Sequence, residues 1–137
     1  ADPTLNLKSV DDVIVFNQKD SANVMPYGQK LFRGIVADSA TEEEFNNIKK
    51  TLKNNGSLYF DIVMKRHNLD AFLSINNYHA GFAAVAENPA LTVPMGYTNE
   101  GVPKGLTFIG KSEKWLLDYA FLYEQASKKR EAPKNYN

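Results

Sequence analysis

Two short apolar runs, bounded by proline and glycine, constrain the fold of this chain more than any other feature. Residues 90–93 and 105–110 are rich in β-branched and aromatic side chains, which predicts two strands. Residues 99–101 (Asn-Glu-Gly) predict a turn between them. Pro94 has no amide proton for a sheet hydrogen bond, so we expect it at a strand edge, end or bulge. Residues 70–75 predict a third, buried strand.

Helical patterns precede these strands. Ser9 is a good N-cap for a first helix that ends near Asp20, and a second helical stretch is expected over residues 27–37. Thr41 and Glu44 have the spacing of a capping box, in which each side chain accepts the other's backbone amide. The helix that they begin carries an apolar stripe on one face, made of Phe45, Ile48 and Leu52.

Glycine at the end of a helix readily adopts the left-handed conformation, so Gly56, after two asparagines, is predicted to end this helix. Ser57 is then predicted to begin a short helix that runs to about His67. Residues 78–87 are rich in alanine and predict another helix, which ends before Pro89. Ser112 is the expected N-cap of a long final helix that reaches about Lys129.

This alternation predicts an α/β fold, with a small mixed sheet of about three strands packed with several helices. A length of 137 residues suits one domain over residues 1–137, with a frayed tail over 132–137. The final helix carries apolar residues on several sides, whereas an outer helix needs only one apolar stripe. Either another part of a protein covers this helix, or its aromatic side chains lie along an open surface.

Composition excludes several classes of function. Sixteen basic and sixteen acidic residues give no net charge, which argues against broad nucleic-acid or anionic-membrane binding. The absence of cysteine excludes a disulfide scaffold, a cysteine nucleophile and cysteine-ligated zinc. The sequence has no apolar run long enough for a membrane span and no glycine-rich nucleotide motif. It predicts no cofactor, and it does not indicate a cellular compartment.

Candidate site residues are few. His67 and His79 are 12 positions apart and have no acidic cluster beside them, so they do not predict a metal site. Each is interpreted as a helix cap, a surface group or a hydrogen-bonded core histidine. Asn76, Asn77 and Tyr78 follow a predicted strand and begin a helix, where α/β folds often place ligand-binding groups. A plain helix-entry turn is the alternative for these three residues.

Residues 89–97 (PALTVPMGY) and 101–110 (GVPKGLTFIG) carry a more specific pattern. They closely resemble the C-terminal strand–turn–strand of the amidase signature family. In that family a final helix with an aromatic residue before Glu-Gln follows, and Tyr123-Glu124-Gln125 matches it here. Residues 67–72 resemble a strand entry of the family, and residues 5–17 and 25–29 resemble a segment of its bacterial members, which implies a bacterial amidase. The link over residues 111–115 is shorter than is usual in the family.

The resemblance implies a hydrolase that acts on carboxamide C–N bonds with two serines and a lysine, held in a glycine- and serine-rich segment. This sequence has no such segment, and Lys30, Lys49 and Lys65 have no serine-rich partner, so no catalytic residue is assigned. The resemblance therefore implies a C-terminal portion that completes the α/β core and one wall of the substrate cleft. Asn76, Asn77 and Tyr78 are the residues expected to line that wall.

By this hypothesis the chain is inactive alone, and its partner is the N-terminal catalytic part of the same protein. The alternative is a free-standing interaction module that descended from an amidase and lost the catalytic half. Both hypotheses predict an exposed apolar patch, through which two copies could pair as a homodimer. The natural amide is not indicated by any residue of this chain.

Overall fold

The computed structural model describes residues 3–132 of the chain. The chain divides into two compact units, Ala1–Glu44 and Phe45–Asn137. Residues 133–137 of the predicted tail lie outside the described residues, and the single domain expected over 1–137 stays a prediction. In chain order the elements are a 3-10 helix Pro3–Leu5, α1 Val10–Gln18, α2 Ser21–Val24, α3 Lys30–Ala37, α4 Glu42–His67, β1 Ala71–Ile75, α5 Ala80–Val85, β2 Ala90–Tyr97, β3 Pro103–Gly110 and α6 Glu113–Ser127.

Polar contacts organise the first unit. The Ser9 hydroxyl accepts the Asp12 amide at 3.1 Å, and the Asp12 carboxylate accepts the Ser9 amide at 2.9 Å. This capping box confirms the predicted start of α1. The buried Gln29 side chain donates to the Ile14 carbonyl at 3.3 Å and accepts from Asn17 at 3.2 Å. These bonds hold the start of α3 against α1.

Helix α4 begins at the predicted capping box. The Thr41 amide donates to the Glu44 carboxylate at 2.8 Å, and the Thr41 hydroxyl accepts the Glu44 amide at 3.2 Å. The Thr41 hydroxyl also donates to this carboxylate at 2.8 Å. The Thr41 amide and, to a smaller extent, its hydroxyl lower the pKa of the Glu44 carboxyl below its ordinary value. The cap therefore favours the ionised carboxylate, which also suits the positive end of the helix dipole.

The predicted break at Gly56 is wrong, because α4 continues through it to His67. Gly56 is buried, and a Cβ atom there would lie 2.8 Å from Val85 Cγ2 and 2.9 Å from the Ala86 backbone nitrogen. The glycine is thus needed for the close approach of α4 to α5 and does not end a helix. Ser57 accordingly lies within α4 and begins no helix of its own.

The three predicted strands are confirmed and form one sheet in the order β1-β3-β2. Both pairings are antiparallel, with Phe72 opposite Ile109 and Leu91 opposite Phe108. The sheet is therefore antiparallel where a mixed sheet was predicted. Strand β2 is an edge strand, and its register shifts between Pro94 and Gly96. The predicted position of Pro94, at an edge and a bulge, is confirmed.

Each face of the sheet carries its own apolar cluster. Helices α4 and α5 supply one face and α6 supplies the other. The first cluster consists of Phe60, Met64, Ala83, Ala86 and Ile109, with Phe72 packed against it. The second consists of Val93, Phe108, Leu116 and Ala120, with five partly buried side chains around it. The predicted α/β class is confirmed, with β3 at the centre of both clusters.

Strand β1 was predicted to be buried, and the structure corrects this. Its buried residue is Ser74, whereas Leu73 and Ile75 are 54 % and 46 % exposed. The physical reason is the position of β1 at a sheet edge. Helix α6 packs on β2 and β3, and its cluster reaches Ala71 of β1 but leaves Leu73 and Ile75 exposed.

Helices α5 and α6 are both shorter than predicted. The predicted helix over residues 78–87 is helical over Ala80–Val85, because residues 76–79 form a turn. In α6 the Ser112 hydroxyl accepts the Trp115 amide at 3.4 Å, which confirms the predicted N-cap. The helix ends at Ser127, because Lys128 adopts the left-handed conformation with φ 47°. Four large apolar side chains of α6 expose more than half of their surface: Trp115, Leu117, Phe121 and Leu122.

Candidate functional site

The predicted candidate residues lie in the turn that follows β1. Asn76 has φ 51°, a left-handed conformation that asparagine tolerates better than most residues. Its side-chain carbonyl accepts the Gly105 amide and its own amide donates to the Gly105 carbonyl, both at 2.8 Å. The Asn76 carbonyl also accepts the Thr107 hydroxyl. Asn76 is therefore held by β3, and its side-chain oxygen is already used within the fold.

Asn77 and Tyr78 are presented differently from Asn76. Both are exposed, and Tyr78 exposes 69 % of its surface. The Tyr78 amide donates to the Ile75 carbonyl at 3.3 Å, which closes the turn. The structure thus brings the three predicted residues together at one end of the sheet. Asn76 fixes the turn, and Asn77 with Tyr78 can contact a bound molecule or a neighbouring chain.

A serine–histidine–tyrosine network lies beside this turn. His79 Nδ1 lies 2.8 Å from Ser74 Oγ, and His79 Nε2 lies 3.2 Å from the Tyr59 hydroxyl. The imidazole is packed in an aromatic group, with its ring centroid 5.1 Å from that of Phe72 and 6.0 Å from that of Phe82. This agrees with the interpretation of His79 as a hydrogen-bonded core histidine. His67 lies in the last turn of α4 and is exposed.

The Ser74–His79 contact has the spacing of a nucleophile and its base but lacks the rest of such a site. Ser74 is only 5 % exposed, so its hydroxyl is not open to a substrate. The other ring nitrogen faces a tyrosine hydroxyl, where a serine–histidine–acid triad has a carboxylate. The arrangement can therefore fasten the turn to β1 and α4, and it does not form an acyl-transfer centre.

A surface hollow of about 450 Å³ lies beside the bulge in β2. Its lining includes Tyr97, Lys104, Arg130 and Glu131. This hollow was not predicted from the sequence, because it forms where the β2–β3 hairpin meets the residues after α6. Its charged lining residues are Lys104, Arg130 and Glu131, and no nucleophile–base pair lies among the lining residues.

The part of the chain that the structure describes contains neither a metal-binding cluster nor a membrane-spanning helix. Residues 3–132 contain no group of three or more histidine, cysteine or acidic side chains that could hold a metal ion. Within the same range, no helix combines the length and the apolar character needed to cross a bilayer.

Comparison with known proteins relates the chain to amidases. A probable amidase of Arabidopsis thaliana is 30 % identical in an alignment of 132 positions that covers 93 % of this chain and 26 % of that protein. The crystal structure of an amidase family protein from Bacillus anthracis str. Ames is 38 % identical, with a TM-score of 0.82, over 93 % of this chain and 26 % of that one. The X-ray structure of a native peptide amidase from Stenotrophomonas maltophilia is 28 % identical, with a TM-score of 0.78. The match covers 96 % of this chain and 30 % of that one. No family model matches the chain.

The chain is thus similar to amidases in both its sequence and its α/β fold, and the resemblance predicted from the sequence is confirmed. More particularly, the chain corresponds to the C-terminal region of its amidase neighbours. It spans about a quarter of the length of the curated relative that it matches. The relatives come from a plant and from bacteria, so the bacterial origin stays a prediction.

Proposed function

We propose that this chain is the C-terminal part of a longer amidase, in which it completes the α/β core and forms one wall of the substrate cleft. The observation that carries the proposal is the retained fold over a small share of each relative. The chain superposes on the B. anthracis protein with a TM-score of 0.82 but covers 26 % of it. Such close similarity to one region of a larger enzyme supports a structural role for this chain within an enzyme of that kind.

The exposed apolar surface supports this proposal. Four side chains of α6 and two of β1 are large, apolar and about half exposed or more. Monomeric proteins rarely expose contiguous apolar patches above a few hundred Å² unless a partner covers them. The elements that carry these side chains have complete caps or a regular strand register, so a locally unfolded segment does not explain the exposure.

The chemistry of the described residues supports inactivity of the chain alone. Acyl transfer needs an accessible nucleophile, a base within hydrogen-bond reach and donors for the oxyanion. Across residues 3–132 the serine that touches a histidine is buried, and no hydrogen bond joins a serine to a lysine side chain. The catalytic serines and lysine of the longer enzyme are therefore proposed to come from chain outside these 137 residues.

Asn77 and Tyr78 are proposed to line the cleft wall, with Asn76 as the residue that positions them. The support is geometric. Asn76 is bonded to β3 through both its backbone and its side chain, which leaves its two neighbours exposed at a fixed place beside the sheet. The class of amide that the whole enzyme accepts is not indicated by these two side chains.

The proposal is tested by ammonia release from simple aliphatic and peptide amides. The purified 137-residue chain is expected to give no turnover above buffer, and the longer protein encoded by the same gene is expected to release ammonia. Turnover by the short chain that survives repurification and disappears in Ser74→Ala would overturn the inactivity, because it would make the Ser74–His79 pair catalytic. A gene with no coding sequence beyond these residues would favour the interaction module instead.

We further propose that the isolated chain pairs with a second copy through its exposed apolar surface. Burial of that surface is favourable when the rest of the enzyme is absent. Light scattering over a range of concentrations is expected to show a mass that rises from monomer to dimer. A constant monomer mass throughout the range would refute the pairing.

A further inference from the structure

The residues that follow α6 run beside the bulged end of β2. Lys128 has φ 47°, and this left-handed residue ends α6. The aliphatic stem of Lys129 then lies beside the bulge, because a Cβ atom at Gly96 would be 3.9 Å from Lys129 Cδ. Gly96 has φ 130°, a conformation that residues with a side chain rarely adopt. The bulge therefore needs a glycine, and the missing side chain leaves space beside β2.

This space belongs to the hollow of about 450 Å³ whose lining combines the hairpin and the residues after α6. Lys104 lines it from β3, where it lies directly opposite Gly96 in the antiparallel register. Arg130 and Glu131 line it from the chain after α6. Cations near the end of a helix suit the negative end of its dipole, but Lys104 belongs to the sheet. The helix dipole thus does not explain why cations from two elements meet at one hollow.

The two cations of the hollow have no anionic partner in the part of the chain that the structure describes. Within residues 3–132 the ion pairs lie elsewhere, and none includes Lys104, Arg130 or Glu131. Two cations and one carboxylate leave the lining with a net single positive charge. A bound monoanion would neutralise that charge, and a guanidinium can donate two parallel hydrogen bonds to a carboxylate.

Apolar and aromatic groups form another part of the lining. Pro94 and Pro103 contribute their rings, and Tyr97 is 46 % exposed. An inorganic ion gains nothing from such a surface, whereas contact with it stabilises the hydrocarbon part of an organic acid. A volume of about 450 Å³ also suits a small organic molecule. The proline and the bulge disfavour pairing of this sheet edge with another strand, which keeps the hollow open on that side.

From these features we propose that the hollow binds an organic carboxylate, a monoanion with a hydrocarbon body. Its carboxylate group lies between Lys104 and Arg130, and its hydrocarbon part contacts Tyr97 and the two proline rings. The inference goes beyond the proposed function and does not rest on it. All of the lining residues belong to the unit Phe45–Asn137 of this chain, and binding is measured without turnover.

An NMR titration of the full-length protein with sodium benzoate tests this assignment. Saturable shifts are expected at the backbone amides of Gly96 and Lys104, which line the hollow, and none at Gly81 in α5. Benzyl alcohol has a similar size and no charge, so its binding is expected to be at least about tenfold weaker. Phosphate has no hydrocarbon part and is also expected to bind more weakly. The proposal is overturned if Gly96 and Lys104 show no saturable shift, or if benzyl alcohol or phosphate binds as tightly as benzoate.

Variants that remove the cations locate the bound carboxylate. Lys104→Gln and Arg130→Gln are each expected to raise the dissociation constant of benzoate roughly threefold, and the double variant about tenfold, because exposed ion pairs contribute modestly. The matched control combines Lys50→Gln with Arg66→Gln, which removes two charges from α4, outside the hollow, and is expected to leave the constant unchanged. An equal rise in both double variants would mean that net charge alone attracts benzoate, contrary to a site in the hollow. The titrations of the unsubstituted protein stay decisive even if a variant does not fold.

Discussion

Replacing Gly56 by alanine sets helix propensity against packing, and the structure decides which prevails. In an open helical position this replacement stabilises by up to about 1 kcal/mol. At Gly56 the new Cβ atom would lie 2.8 Å from Val85 Cγ2 and 2.9 Å from the Ala86 backbone nitrogen. The Val85 Cγ2 methyl group can move by a change of side-chain rotamer, but the Ala86 backbone can move only if the end of α5 moves with it.

Overpacking of a buried site typically costs about 1–3 kcal/mol. The contact with backbone favours the upper part of that range, so after the gain in propensity we expect a net loss of about 1–2 kcal/mol. Urea unfolding followed by circular dichroism measures the difference. With a slope of about 1–3 kcal/mol per molar urea, the midpoint of Gly56→Ala is expected to fall by roughly 0.3–2 M.

Gly81 provides the control, because it lies in α5 and a Cβ atom there would meet nothing within 4 Å. Gly81→Ala is expected to stabilise by about 0.4–1 kcal/mol, since it reduces the freedom of the unfolded chain without a steric cost. The reasoning is refuted if Gly56→Ala raises the urea midpoint as Gly81→Ala does. That result would mean that α4 and α5 separate at little cost.

Two further predictions concern the turn after β1 and the cap of α4. Asn76→Gly keeps the left-handed backbone and loses the hydrogen bond from the Gly105 amide to the Asn76 side chain, for a cost of about 1 kcal/mol. Asn76→Ala loses the same bond and adds about 1–2 kcal/mol of backbone strain. Thermal unfolding should rank the wild type above Asn76→Gly and that variant above Asn76→Ala, and equal midpoints for the two variants would contradict the assigned strain. The Glu44 pKa is lower in the folded chain, so its contribution to stability is present above the ordinary glutamate pKa of about 4.3 and is lost as pH falls through the lowered folded value. Glu44→Gln should therefore weaken the acid dependence of unfolding, and an unchanged dependence would argue against the cap as its source.

Features fixed by neighbouring residues were predictable from the sequence. The N-cap at Ser9 and the capping box at Thr41 depend on groups three positions apart, and both were predicted correctly. The bulge at Pro94 follows from the missing amide proton of proline, whatever strand lies beside it. These features involve short sequence separations and groups whose hydrogen-bonding capacity is known in advance.

Features that depend on distant residues were missed. Gly56 has the same local appearance whether it ends a helix or makes room for one, and the contact that decides lies with Val85, 29 positions further along the chain. The network of Ser74, His79 and Tyr59 likewise forms only when β1, its turn and α4 come together. The periodicity of apolar residues within one segment contains no information about such tertiary contacts.

The exposure of β1 has the same origin and indicates how the chain is used. The apolar run over residues 70–75 correctly predicted a strand, and its apolar character implied that the strand is buried. The structure covers the face that carries Phe72 and leaves Leu73 and Ile75 open. An apolar face on a strand with regular register is favourable only when something covers it. The same holds for the uncovered flank of α6, which begins at a satisfied N-cap and carries Trp115. The mismatch between the apolar sequence and the observed exposure therefore supports the proposal that these surfaces face the rest of a longer enzyme.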